Sequence, residues 1–384
     1  MNLPSVSVKV SGNYTVDVEV GDGLPPIDPK FAADFLQTWP ISPASILADA
    51  QPIYRLPDDW VCRPCTVPLS EVYDWSLEYT GIPKLWAETR GEGLKICVLD
   101  TGVDDTHPDL LANLQMARDF TGSLNGAKDV VSHGTWCAGL LCAEASNNYG
   151  VAGICNKAAL YCGKVLGDNG AGNDQTIEAG LRWAMSLDCD IVSMSLGGGR
   201  MSDRLHRVFQ EFTSRPGKFI FAAAGNDGRS VNYPGAWPET IGVGAVDRNG
   251  RLTRFTSRGP ELDILFPGVD MLSTIPVHMG SFATMSGTSM ACPGVAGVGA
   301  LALAKHKKLG GKSDLLTTAD MRAHMKKAST DKGDGYGLLD PGKLLAEAHT
   351  GPVAPTPGGG LKIGPLRINS PAVVGDLFSI GLDA

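Results

Sequence analysis

The sequence predicts an α/β fold over residues 71–348, with a mainly parallel central sheet flanked by helices. Three observations lead there. Four short runs are almost wholly apolar: LKICVLD (94–100), AALYCGKVL (158–166), CDIVSMSL (189–196) and KFIFAAAG (218–225). They read as buried strands, as a parallel sheet requires. Between them, TIEAGLRWAMSL (176–187) and MSDRLHRVFQEFTS (201–214) space their apolar residues as helices do. The 48 glycines exceed ordinary usage and point to tight turns and close backbone approaches.

Taken in order, residues 1–70 form a separate N-terminal segment. VSVKV and YTVDVEV alternate apolar and polar positions, as strands or a hairpin do, and the chain then turns Pro-rich. Residues 71–348 carry the strand and helix rhythm, so functional side chains are expected at the carboxyl ends of strands. HTGPVAPTPGGG (349–360) is a linker by composition, and a short β tail follows to residue 384. No long internal repeat is present.

The balance of 43% apolar and 19% charged residues suits a water-soluble globular chain. A net charge of −8 without a basic stripe argues against a nucleic-acid partner. No basic region followed by an apolar core opens the chain, and no run reaches about 18 apolar residues, so neither a signal peptide nor a membrane partner is expected. Of nine cysteines, Cys97, Cys137, Cys142, Cys162 and Cys189 sit in apolar runs and read as buried free thiols. Cys62-Arg63-Pro64-Cys65 stands alone, without the second ligand pair a zinc site needs. A reducing, cytoplasmic setting is the simplest fit.

Three polar residues stand at the ends of elements. Asp100 closes LKICVLD, where an unpartnered carboxylate is costly. His133, in SHGTWCAG, opens an apolar helical run. Ser289, in FATMSGTSMACPGVAG, precedes a run of Gly, Ala and Val. Each alone has a structural explanation: a turn cap, a histidine packed at a helix start, a helix N-cap. Together they are the parts of an acyl-transfer site. A serine hydroxyl needs a base, histidine has the right pKa, and a carboxylate fixes the histidine tautomer. Asn226, in FAAAGNDG, lies just past an apolar strand, where its amide suits an oxyanion. Alone, it also suits a left-handed turn before Asp-Gly.

With these residues on the page, the chain resembles the subtilisin-like serine proteases, the subtilases, over about residues 78–347. The matching motifs are VLDTGVDDTHPDL, SHGTWCAG, AAAGNDG and SGTSMACPGVAG, with KVLGDNGAGN, IVSMSLGGG and GPELDILFPGVDMLSTIP between them. Asp, His and Ser follow one another in the order for which subtilisin is the usual example. The resemblance implies a three-layer subtilisin-like fold and a serine endopeptidase of broad specificity acting on proteins or peptides. Asp100, His133 and Ser289 would form the triad and Asn226 the oxyanion hole. The substrate backbone would pair beside Gly170-Ala171-Gly172 and Ser195-Leu196-Gly197. The pocket before the scissile bond would be walled by Ala223, Ala224 and Gly225, with Asn232 near its floor.

The resemblance also implies a structural Ca²⁺ ion held by Asp109 and Asn147, although a capping Asp and a turn Asn explain those residues too. No organic cofactor is expected. Asp174 falls where relatives have an aromatic residue at a more distant subsite, which would relax apolar selectivity there. Trp136 and Gly294 depart from the family, which has His at both. Cys137 matches thiol-sensitive branches, and its place one helical turn after His133 predicts a sulfur beneath the imidazole. A relative that passes the acyl group to an amine, or one retained as a binding module, are the competing readings. Residues 1–70 read as a folding propeptide, a permanent extension, or an inhibitory one with QPIYRLP (51–57) lying across the active site.

Overall fold

The computed structural model describes residues 6–11, 15–20, 54–55, 63–64, 70–308, 310, 317–331 and 335–347. The tail expected over 349–384 and most of segment 1–70 therefore lie outside the described residues. The chain divides into two units, Met1–Gln51 and Pro52–Ala384. In the first, β1 (Val6–Ser11) and β2 (Thr15–Val20) form the antiparallel hairpin their alternation predicts, with Val6 opposite Val20 and Ser11 opposite Thr15.

The second unit begins with two short strands, β3 (Tyr54–Arg55) and β4 (Arg63–Pro64), and two short helices, α1 (Trp75–Thr80) and α2 (Ile82–Leu85). Then come β5 (Lys95–Asp100), β6 (Leu114–Asp119), α3 (His133–Cys142), β7 (Ala159–Lys164), β8 (Ala171–Gly172), α4 (Asp174–Ser186) and β9 (Ile191–Met194). They are followed by α5 (Asp203–Thr213), β10 (Phe219–Ala223), β11 (Thr240–Val246), β12 (Ile264–Pro267), β13 (Met271–Thr274) and β14 (Phe282–Met285). The last described elements are α6 (Thr288–Lys308), α7 (Thr318–Lys327), β15 (Ser329–Asp331), β16 (Gly337–Leu339) and α8 (Pro341–Glu347).

Nine strands form one sheet in the order β15-β16-β12-β11-β10-β9-β5-β7-β6. Every neighbouring pair is parallel except β15 with β16. Side-chain alternation explains why the strand sequences are apolar throughout. Ile96, Val98, Phe219 and Phe221 join one core with Trp136 and Leu140 of α3 and Val295 and Leu301 of α6. Their chain neighbours Cys97, Leu99, Ile220 and Ala222 join the opposite core with Ile177 and Leu181 of α4 and Phe209 and Phe212 of α5. The predicted α/β fold, a parallel sheet between two helical layers, is thus present.

The chain winds to one side of β5, through β7 and β6, and then to the other, through β9, β10, β11 and β12. That reversal makes the carboxyl end of β5 the place where a crevice opens. The two departures from the family motifs have local packing explanations. A Cβ on Gly294 would lie 2.4 Å from the Phe266 ring, so the ring of β12 fills the space a larger residue would use. Trp136 is fully buried and its indole N–H donates to the Ala283 carbonyl at 3.0 Å, tying α3 to β14. No helix among the described residues is long and apolar enough to cross a membrane.

Candidate active site

Asp100 is the last residue of β5, and His133 is the first of α3. Both are buried, and His133 Nδ1 lies 2.8 Å from Asp100 Oδ1. The same oxygen accepts the Thr101 N–H at 2.7 Å. With Nδ1–H donating to the carboxylate, Nε2 is left as the basic nitrogen. Ser289 is the second residue of α6, so its hydroxyl and N–H stand at the positive end of a 21-residue helix. Its Oγ donates to the Ser195 carbonyl at 3.2 Å, and Ser195 Oγ donates to the Ser289 carbonyl at 2.7 Å. Gly287, at φ +151 just before α6, supplies a backbone conformation that side-chain-bearing residues rarely adopt.

Asn226 follows β10 by three residues. Its Oδ1 accepts twice from Thr288, from the N–H at 2.9 Å and from the hydroxyl at 2.8 Å. Its Nδ2 is buried and has no partner among the described residues. An orphaned buried N–H donor is rare and costly, and it marks a place where a ligand oxygen is expected.

Beneath the imidazole, Cys137 Sγ lies 3.9 Å from His133 Nδ1, and its S–H points to the Ser289 carbonyl at 3.7 Å. Burial, with the Asp100 charge adding, pushes this thiol well above its ordinary range. The other cysteines named from sequence, Cys97, Cys142, Cys162 and Cys189, are also buried and free.

Along the groove, Ala171–Gly172 is strand β8, with Gly170 at φ +72 turning into it. A Cβ on Gly172 would meet the Val165 carbonyl at 2.4 Å. Ser195 and Leu196 follow β9 and are buried, and Gly197 packs against Asn232, where a Cβ would lie 3.2 Å from the Asn232 Cβ. Asn232 also lies over Gly225, whose Cβ would come within 2.5 Å of the Asn232 amide nitrogen. Ala223 and Ala224 turn their methyl groups into the core, so the wall they offer is main chain. Asp174 is the first residue of α4, is buried, and accepts the Ser202 N–H at the start of α5 at 3.1 Å. A carboxylate engaged there braces two helices.

Asp109 and Asn147 do come together. Asp109 Oδ1 accepts the Asn147 amide at 3.0 Å, and Oδ2 accepts the Val151 N–H at 2.8 Å. Glu71 accepts the N–H groups of Ser146 and Asn147 beside them. Burial, with Glu71 and Glu144 adding, pushes the Asp109 carboxyl up to about 6. Sequence reasoning missed Asp129, a buried carboxylate that accepts from Thr101, Val131, Ser132 and Thr135 around His133. Its place four residues before His133, in KDVVSH, was the only signal available.

A model of the subtilase family matches residues 91–340. Subtilisin E of Bacillus subtilis (strain 168) is 39% identical over 260 residues, covering 65% of this chain and 65% of that protein. Subtilisin of Bacillus pumilus is 39% identical over 260 residues, covering 65% of this chain and 90% of its own. An intracellular serine protease of Paenibacillus polymyxa is 38% identical over 278 residues, or 68% and 83% of the two chains. The chain thus spans 65% of the length of the first of these relatives. The family match runs from before β5 to just past β16, taking in all nine strands of the sheet and Asp100, His133, Asn226 and Ser289, and the chain belongs to the subtilase family.

Proposed function

We propose that the protein is a serine endopeptidase of broad specificity, acting on protein or peptide substrates through an acyl-enzyme. The observation that carries this is the Asn226 amide, held by Thr288 at its oxygen and left with a buried, unmatched N–H. Ser289 Oγ attacks the scissile carbonyl as His133 Nε2 takes its proton. Asp100 holds the tautomer and stabilises the imidazolium. The oxyanion is received by Asn226 Nδ2 and the Ser289 N–H at the start of α6. His133 then protonates the leaving amine, and water repeats the sequence on the ester. Broad preference is supported by a groove walled by main chain and glycine. Intact mass after phenylmethylsulfonyl fluoride treatment tests the reading. One adduct on the wild type and none on Ser289→Ala is expected; no adduct on either, before and after limited trypsin, would overturn it.

Self-inhibition by the N-terminal segment belongs to the same proposal. β3 pairs antiparallel with β8, Tyr54 opposite Gly172 and Arg55 opposite Ala171, on the edge where a substrate strand is expected. β4 pairs antiparallel with Ala283 and Thr284 of β14, which leads into Ser289. Occupation of the β8 edge by the chain itself supports an inhibitory extension. Limited trypsin cleavage after Arg55 should raise the rate of Ser289 labelling.

A structural Ca²⁺ ion fits Asp109, Glu71 and Asn147. Two carboxylates and an amide are the hard oxygen donors calcium takes, and a cation would offset the cost of ionising a buried Asp109. Bound there, it would brace the loop around Asn147. Millimolar calcium should raise the unfolding temperature of the wild type and leave Asp109→Ala unmoved. A cytoplasmic setting is supported by the seven buried free cysteines among the described residues and by the name of the Paenibacillus relative. Recovery of the protein outside the cell would overturn it.

A further inference from the structure

We propose that Asp129 is a positioning residue: its carboxylate, linked through the Thr101 hydroxyl, holds the turn that carries His133 in register with Asp100. The inference rests on the triad reading above. Asp129 is 1% exposed and makes no ion pair among the described residues. A buried carboxylate without a cation is costly unless every lone pair is used. Here five donors converge on it. Oδ1 accepts the Thr101 hydroxyl at 2.9 Å and the N–H groups of Val131 and Ser132 at 3.0 and 2.9 Å. Oδ2 accepts the N–H and the hydroxyl of Thr135 at 2.8 and 2.7 Å.

These donors belong to two pieces of chain, the end of β5 and the start of α3. Val131, Ser132 and Thr135 bracket His133 at the start of α3. Ser132, immediately before the histidine, holds φ at +80, a left-handed conformation that a non-glycine residue keeps only where its surroundings fix it. Its N–H bond to Asp129 is one such fixture. Thr101 follows Asp100 directly, and its hydroxyl both donates to Asp129 and accepts the Gly134 N–H at 2.8 Å. The carboxylate side and the imidazole side of the 2.8 Å Asp100–His133 bond are therefore tied across one anion. Gly134 closes the remaining freedom: a Cβ there would lie 2.2 Å from the Gly102 carbonyl, so the turn is already packed against the end of β5.

A plain helix cap would give the same bonds to α3, but it would have no need of Thr101. Stability and alignment separate the two roles. An imidazole displaced by about 1 Å loses on the order of 100-fold in rate, whereas a lost cap costs only stability. Asp129 touches no reacting atom, so substrate binding should be indifferent to it.

The test uses the full chain with Thr101→Val, Thr101→Ser and Asp129→Asn. Three quantities are measured: kcat and KM on a chromogenic peptide, the downfield proton resonance of His133 Nδ1–H, and the unfolding temperature. Thr101→Val, which keeps the shape and removes the hydroxyl link, should lower kcat by about 10- to 100-fold with KM within about twofold. It should also shift or broaden the downfield resonance. Thr101→Ser should restore both, and Asp129→Asn should lower kcat further. Wild-type kcat and an unmoved resonance in Thr101→Val would overturn the proposal whatever the unfolding temperature does. If Asp129→Asn fails to fold, the two Thr101 variants decide. A wild type that neither turns over nor accepts a sulfonyl adduct would sink the protease reading instead, and the resonance would still report on the brace.

Discussion

Asn226 and Cys137 show how much of the chemistry is decided by single atoms. The Asn226 oxygen is taken by Thr288, so its amide N–H is the group left without a partner among the described residues. Asn226→Ala should lower kcat by about 100- to 1,000-fold with little change in KM, as steady-state kinetics would read. Cys137 is closer to His133 and Ser289 than any helical wheel alone requires. A mercurial seated on its sulfur should abolish activity in the wild type and spare Cys137→Ala. Because burial raises the thiol, inactivation should also quicken as pH rises and the thiolate becomes available. The strand-end residues Asp100 and Asn226 were legible only in combination with His133 and Ser289, since each alone also reads as a cap or a turn. Asp129 was not, since KDVVSH contains no periodic run to place it against. The bond from the Ser202 N–H to Asp174 was not legible either, because sequence position gives a residue's address and not its direction.

Strands buried on both faces announced themselves as unbroken apolar runs, which is why β5, β7, β9 and β10 could be read directly. β6 escaped because it is an edge strand, with LQMARD half-exposed along its length. β11, TIGVGAV, escaped because Gly242 and Gly244 dilute it; a Cβ at Gly244 would come within 2.7 Å of Leu265 on β12.

Two predictions belong to elements. Arg322 of α7 pairs with Asp263 at 2.8 Å and donates to the carbonyls of Pro238 and Thr240 at 3.0 and 2.6 Å. Arg322→Met leaves a buried carboxylate and two carbonyls short of donors, and should cost about 1–3 kcal/mol in denaturant unfolding.

The second concerns His107, which joins the start of β14 to the loop before Asp109. Its Nε2 lies 3.0 Å from the Ser281 carbonyl and its Nδ1 accepts the Asp109 N–H at 3.2 Å, so the ring works only when neutral. Burial lowers its pKa. A histidine depressed on folding contributes stability in full above its unfolded value, about 6.5, and loses it as pH falls towards the folded one. His107→Gln should therefore lose less stability than the wild type between pH 7 and 5.

At the scale of the molecule, β3 pairs with β8, the edge proposed for the substrate strand, and β4 pairs with β14, the strand that leads into α6. Neither was readable as a pairing, because two-residue strands carry no periodicity; only the extended, Pro-containing QPIYRLP hinted at the first. If the first cut is made by the molecule on itself, the lag before activity should be unchanged over a tenfold range of enzyme concentration. A lag that shortens with concentration would assign that cut to a neighbouring molecule.

An occupant that is also part of the enzyme obeys different arithmetic from a free inhibitor. A short tether holds its strand at an effective concentration in the millimolar range, and that figure does not fall when the cell dilutes the protein. A passing peptide must outcompete a rival that never leaves. One severed bond ends the advantage, because the freed strand then drifts at the bulk concentration like any other product. Such a seal would be indifferent to abundance and sensitive to a single event.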